Sequence, residues 1–176
     1  MSEEYLDIVD ENGNPTGKKE LRSVVHEKGL WHWVAVIYFY RVTENKNIEL
    51  LIHLRSKFKD QQPNKWAPRF GGHIEAGKSA KETAIKEVRE EIGIIISPNK
   101  LIPGIKNFYN SINNREIGQA YYYEFNENID KLSFNDDEVQ EVKWMDIDEI
   151  IDSMKKNPEI WASNYMSLQK MKQDLF

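Results

Sequence analysis

The segment WHWVAVIYFY, residues 31–40, limits the folds open to this chain more than any other. It is rich in aromatic and β-branched residues, which favours a strand, and it is too apolar for a strand wetted on one side. A central strand with both faces covered is therefore expected. Strands mixed with a few helices give an α/β or α+β fold, a sheet with helices on its faces. A chain of 176 residues is expected to form one domain, 1–176, with one core, burying about 70% of its unfolded surface.

The rest of the chain supplies elements on both sides of that strand. YLDIVDENGNPTGKK alternates apolar and polar residues and turns through Asn12-Gly13 and Asn14-Pro15, which predicts an N-terminal hairpin. A short helix is expected over 19–27, closing an N-terminal extension of residues 1–29. IELLIHL, 48–54, follows after a polar turn as the partner of the central strand. RSKFKDQQPNKWAPRFGGH then reads as a long loop delivering a short strand near Phe70. AYYYEF (120–125) and VQEVKWM (139–145) read as strands, and helices are expected over 146–155 and 158–174, in a C-terminal segment 146–176.

Composition removes several functions. With no cysteine there is no disulfide, thiolate nucleophile or Cys-ligated zinc, so a metal must sit on His, Asp or Glu. No apolar run reaches the ~18 residues of a membrane span, and the acidic start MSEEYLDIVD has no signal-peptide core, so the expected location is cytoplasmic with no membrane partner. A net charge of −5 gives no footprint for duplex nucleic acid.

One helix raises a question of its own. Ser79 and Glu82 form a capping box, Gly93 is a C-terminal stop, and Ala84, Ile85, Val88 and Ile92 make the apolar stripe between them. Glu87, Glu90 and Glu91 share about one third of the circumference, where like charges four residues apart repel by a few tenths of a kcal/mol. A solvated ladder of Glu82, Lys86 and Glu90 accounts for Glu90 but leaves Glu87 and Glu91 without a partner. The preceding FGGHIEAG changes the balance, since adjacent glycines allow a sharp bend and close backbone approach. A glycine loop, a helix and clustered carboxylates suit a hard cation that in turn holds phosphate oxygens.

From Gly72 to Ile94 the chain resembles the Nudix box, with pattern G-x5-E-x7-R-E-U-x-E-E-x-G-U, where U is aliphatic. Gly72, Glu87, Val88, Glu90, Glu91, Gly93 and Ile94 match it; Lys78 stands where the pattern has Glu and Lys86 where it has Arg. In the family those two residues pair with each other, so their joint change removes an orienting ion pair. The resemblance implies a three-layer α/β/α sandwich, with Glu87, Glu90 and Glu91 holding Mg²⁺ or Mn²⁺ and Gly71 and Gly72 shaping the loop. It implies hydrolysis of a small diphosphate compound, of nucleoside-diphosphate or isoprenoid-diphosphate type.

A second likeness runs from about Tyr5 to Trp144. RSVVHEKGLWHWVAVIYFY and LLIHLRSKFKDQQPNKWAPRFGGHIEAG resemble isopentenyl-diphosphate isomerases, and more closely their isomerase-like hydrolase relatives. This implies a metal site on His26, His32, His73 and Glu116, with Asn114 where the isomerases place a second glutamate. It also implies diphosphate contacts from Arg22, Arg55 and Lys59. The cysteine that isomerases use for proton transfer aligns with Gly71, which favours a hydrolase; the alternatives are an isomerase or a diphosphate-binding module with weakened catalysis.

The remaining candidates read both ways. Arg69 adds a cation to the loop facing the acidic helix, while Lys57 and Lys65 read as solvated charges. Glu138, in the acidic stretch DDEVQEV, is an extra ligand or base or simply part of a turn. His53 reads as a strand residue, and Trp66, Trp161 and Tyr165 as core aromatics that can also line a pocket. A homodimer is allowed for and nothing in the sequence fixes it.

Overall fold

The structure, a computed structural model, describes residues 3–59, 61–112, 114–134 and 138–175; Asp136 and Asp137 of the acidic stretch lie outside them. The chain runs β1 (Tyr5–Val9), β2 (Pro15–Leu21), α1 (Arg22–Lys28), β3 (Trp31–Val42), β4 (Ile48–Arg55), β5 (Trp66–Ala67), β6 (Phe70–His73), α2 (Ala80–Ile92), β7 (Ile102–Asn110), β8 (Arg115–Glu124), β9 (Val139–Asp146), α3 (Ile147–Lys156) and α4 (Met166–Leu175). Nine strands join one mixed sheet among the described residues.

β3 is the centre, as its composition requires. It runs parallel to β8 from Trp31↔Arg115 to Tyr40↔Glu124 and antiparallel to β6 through Val34↔His73 to Ile37↔Phe70. Successive side chains on a strand point to opposite faces. Ala35, Ile37 and Phe39 accordingly pack with Ala84, Val88 and Ile92 of α2, while Val36, Tyr38 and Tyr40 pack with Ile147, Ile150 and Met154 of α3 and with Leu168 and Met171 of α4. The expectation of one core is corrected. A strand apolar on both faces builds two, which is the three-layer α/β/α arrangement the Nudix resemblance implies. Burying each Val or Ile of α2 contributes about 1.5–3 kcal/mol.

Other expectations shift at their edges. The hairpin forms, but its second strand runs to Leu21, so α1 begins at Arg22 rather than 19. β4 pairs with β3 only from Tyr40↔Leu50 to Val42↔Ile48 and then leaves to pair with β9 and β5. The last helix starts at Met166, because Pro158–Ile160 forms a 3₁₀ turn. β7 escapes the sequence pattern: Pro103 and Gly104 read as breakers, and an edge strand lying largely in solvent lacks an apolar alternation. No helix of the described residues is long and apolar enough to cross a membrane.

Candidate active site

β6 brings Gly71 and Gly72 against the middle of β3. At Gly71, with φ of +144°, a Cβ would lie 2.0 Å from the Ala35 carbonyl oxygen; at Gly72 it would lie 2.7 Å from the Glu87 carboxylate. Main chain closes Gly71 to any side chain, whereas a side chain at Gly72 would displace the Glu87 carboxylate. The loop that follows is tied down by backbone and hairpin: Ile74 N–H donates to Trp33 O, Ala76 N–H to Tyr5 O and Gly77 N–H to Asp7 Oδ2. α2 then starts at Ser79, whose hydroxyl accepts from Glu82 N–H while the Glu82 carboxylate accepts from Ser79 N–H.

The three glutamates of α2 separate. Glu91 is 2% exposed and its Oε2 accepts a hydrogen bond from Gly71 N–H at 3.2 Å. Burial first, and the neighbouring Glu138 and Glu87 charges next, raise its carboxyl well above the usual range. Glu87, over Gly72, is pushed up to about 7, chiefly by burial. Glu90 turns outward: its side chain is 48% exposed and lies 3.7 Å from Lys86 Nζ. So Glu87 and Glu91 face inward together, and Glu90 sits beside them on the solvent side.

Lys86 has a closer partner that the sequence pattern conceals. Its Nζ lies 2.7 Å from Oε1 of Glu75, three residues before Lys78. The ion pair expected to be lost is therefore re-formed from a different acid, and the loop keeps its link to the helix.

The predicted cations divide into two groups. Arg55 lines a cavity of about 160 Å³ over Gly71, Gly72 and Glu91, together with Arg69, and donates from Nε to Gln62 O and from a terminal nitrogen to Gln61 O. Lys59 pairs with Glu138 at 2.6 Å, and the charges of both act on Glu87 and Glu91. Arg22 instead pairs with Glu4 at 2.9 Å and is not among the residues lining this cavity; its charge acts on the nearby histidines.

Across the glycine strand from the glutamates, α1, β3 and β6 bring together His26, His32 and His73, each offering a ring nitrogen within 4.8 Å of the others. His26 Nε2 and His73 Nε2 are 3.1 Å apart. His32 donates from Nδ1 to Leu30 O, which leaves Nε2 a bare lone pair, buried and without a hydrogen-bond partner among the described residues. Burial lowers the basicity of all three, His73 to about 2, so each is neutral at pH 7, the ligating form. Glu116 Oε1 lies 3.9 Å from His32 Nε2 and 3.8 Å from His73 Nε2, and accepts from the Asn114 amide at 2.9 Å.

Sequence reasoning missed Glu75, the Gln61 and Gln62 carbonyls, and the depth of His53, a buried residue stacked on Phe70 at 4.5 Å. Only Glu75 left a signal, an acid inside the box. Trp161 is core and pocket wall at once, donating from Nε1 to Ser153 Oγ.

The fold agrees with comparisons to known proteins. The family model described as the NUDIX domain matches residues 31–167. A relative from Clostridium acetobutylicum, an uncharacterised Nudix hydrolase, is 36% identical over 154 residues, covering 85% of this chain and 73% of the relative. The isopentenyl-diphosphate Delta-isomerase of Citrobacter koseri is 27% identical, covering 96% and 91%. In fold, the crystal structure of DR0079 from Deinococcus radiodurans matches with a TM-score of 0.70 at 19% identity, covering 96% of this chain and 98% of that one. This chain belongs to the Nudix family, as an enzyme of the pyrophosphohydrolase class.

Proposed function

We propose that this enzyme hydrolyses the diphosphate linkage of a small molecule with Mg²⁺ or Mn²⁺ held by α2. The observation that carries this is the placement of Glu91 and Glu87 against Gly71 and Gly72, with Arg55 and Arg69 lining the same cavity as Glu91. The residues fit a hard cation: the donors are carboxylate oxygens, and among the described residues the only hydrogen bond given to the buried Glu91 carboxylate is the Gly71 N–H. When bound, the cation supplies charge neutralisation of the diphosphate and an acidified water.

The chain's own groups do the rest. Glu87 and Glu91 release their protons to hold the cation, and Glu90 joins them from the helix surface. Arg55 and Arg69 orient phosphate oxygens, and Lys59 fixes the Glu138 carboxylate so that it takes the proton of the attacking water. Gly71 and Gly72 let the diphosphate approach the backbone. His26, His32, His73 and Glu116 form a second candidate metal site; neutral imidazoles, that of His32 with a bare Nε2, fit a divalent cation of mixed N/O preference.

That histidine cluster favours a second reading, an isopentenyl-diphosphate isomerase. Against it stands Gly71, because the cysteine an isomerase needs there would collide with Ala35 O. The deciding experiment offers nucleoside, sugar and isoprenoid diphosphates to the purified protein with and without Mg²⁺, reading both phosphate-ester products and alkene isomer. Hydrolysis that EDTA abolishes supports the proposal; isomer without hydrolysis overturns it, and binding without turnover leaves a binding module.

A further inference from the structure

A second cleft, about 380 Å³, adjoins the cavity over the glycine strand, and the two share Val34, Gln62, Arg69, Glu116 and Ala162 in their walls. A diphosphate held at Glu91 therefore directs whatever it is attached to into this cleft. Its walls are unlike those of a hydrocarbon site. Lys65, Arg69 and Lys170 line it, against the single carboxylate of Glu116, and none of the three carries an ion pair among the described residues.

Two further wall residues add unused hydrogen-bonding capacity. The side-chain amide nitrogen of Asn107 and the Ser163 hydroxyl are buried there without a hydrogen-bond partner among the described residues. Buried donors in that state select a ligand that offers acceptors and reject one that does not. Phe108 and Tyr109, 57% and 53% exposed, supply apolar surface at the same wall.

We infer that the substrate of this enzyme carries, beyond the scissile diphosphate, a polar group bearing its own negative charge, such as a phosphate ester, and that Lys65, Arg69, Lys170, Asn107 and Ser163 read it. The inference rests on the hydrolase reading above and narrows it, setting isoprenoid diphosphates aside: a neutral alkenyl chain would leave three cations and two donors unmatched. Arg69 touches both cavities and spans the two anions, whereas Lys65 and Lys170 line the outer cleft alone.

The test uses pairs that differ by one phosphate ester, NADH against NADPH and dephospho-coenzyme A against coenzyme A. 5-Phosphoribosyl 1-diphosphate serves as the sugar-borne arm and isopentenyl diphosphate as the neutral one. Wild type is expected to favour the phosphate-bearing member of at least one pair, or the phosphoribosyl compound over isopentenyl diphosphate, by about tenfold or more in kcat/KM. In K65Q/K170Q that preference should shrink to within about threefold, mostly through KM. Preference absent in wild type, preference undiminished in the variant, or isopentenyl diphosphate as the best substrate would each overturn the inference. Calorimetric binding of the same compounds in EDTA separates the two readings. Phosphate-dependent binding without any turnover sustains the cleft and sinks the hydrolase, whereas turnover without phosphate preference does the reverse. Neither binding nor turnover overturns both.

Discussion

Glu91 and Glu87 are carboxylates placed where water is scarce, and their protons answer for it. In the metal-free protein both hold protons to higher pH than a free glutamate, Glu87 to about 7. A carboxyl whose folded pKa is raised adds stability below its unfolded value of 4.5, and that stability is lost as pH rises through the folded value. The buried histidines act oppositely. His26, His32, His53 and His73 are all less basic than the free value of 6.5, so stability rises with pH until about 6.5, where the unfolded chain stops taking protons. Below that point the histidines and glutamates oppose each other, and above it the glutamates act alone. Metal-free stability is therefore expected to fall from pH 6.5 toward pH 8, with Glu87→Gln flattening the fall. Melting temperatures in EDTA across pH 5–8 check this; a rise that continues to pH 8 contradicts it. Glu91→Gln should lower turnover by about 10²-fold or more and raise metal-free stability at pH 8 by about 1 kcal/mol, since the amide needs no proton to be neutral. Equal turnover in wild type and variant would remove Glu91 from the site.

β6 and α2 show what the sequence made legible and what it hid. The cap at Ser79, the stop at Gly93 and the stripe through Ala84, Val88 and Ile92 were readable because they depend on neighbours within a turn or two. The glycine pair was readable as a bend, but not the reason for it: Ala35 O and the Glu87 carboxylate are far away in sequence. Gly71→Ala should accordingly destabilise the fold by about 3 kcal/mol or more, through strained backbone and a collision with main chain that cannot yield; denaturant unfolding checks it, and a cost under 1 kcal/mol would mean β6 shifts freely. The inward turn of Glu91 and outward turn of Glu90 was also hidden: the two point about 100° apart on the helix, and what packs against each decides which is buried. The Lys86–Glu75 pair belongs to the same class. Both side chains are close to half exposed, so an E75Q/K86M double-mutant cycle should give a coupling of only about 0.2–1 kcal/mol. No coupling at all would mean the loop is held by its backbone bonds alone.

At the scale of the molecule, the layers were foreseeable from β3 because a strand apolar on both faces needs two partners. β7 and the outer cleft were not, because they are built from solvent-facing residues that contacts alone define. The hairpin of β1 and β2 has a small core of its own in Leu6, Ile8 and Val25, separate from the two main clusters, yet its Tyr5 and Asp7 hold the loop before α2. Tyr5 holds through its carbonyl, so the side chain of Asp7 is the separable contact. Asp7→Ala should leave the melting temperature within about 2 °C of wild type while lowering kcat/KM several-fold, a split visible by calorimetry and steady-state kinetics. The parallel pairing of β3 with β8 has a consequence of a different kind. Every partner in that ladder lies 84 positions downstream, from Trp31 with Arg115 to Tyr40 with Glu124. At about 5–20 residues per second on the ribosome, the most apolar stretch of the chain waits about 4–17 s for the strand that shields its edge. The nascent chain is thus most prone to aggregate between the synthesis of those two strands, and slow, non-local closure rather than local helix formation should set the refolding rate.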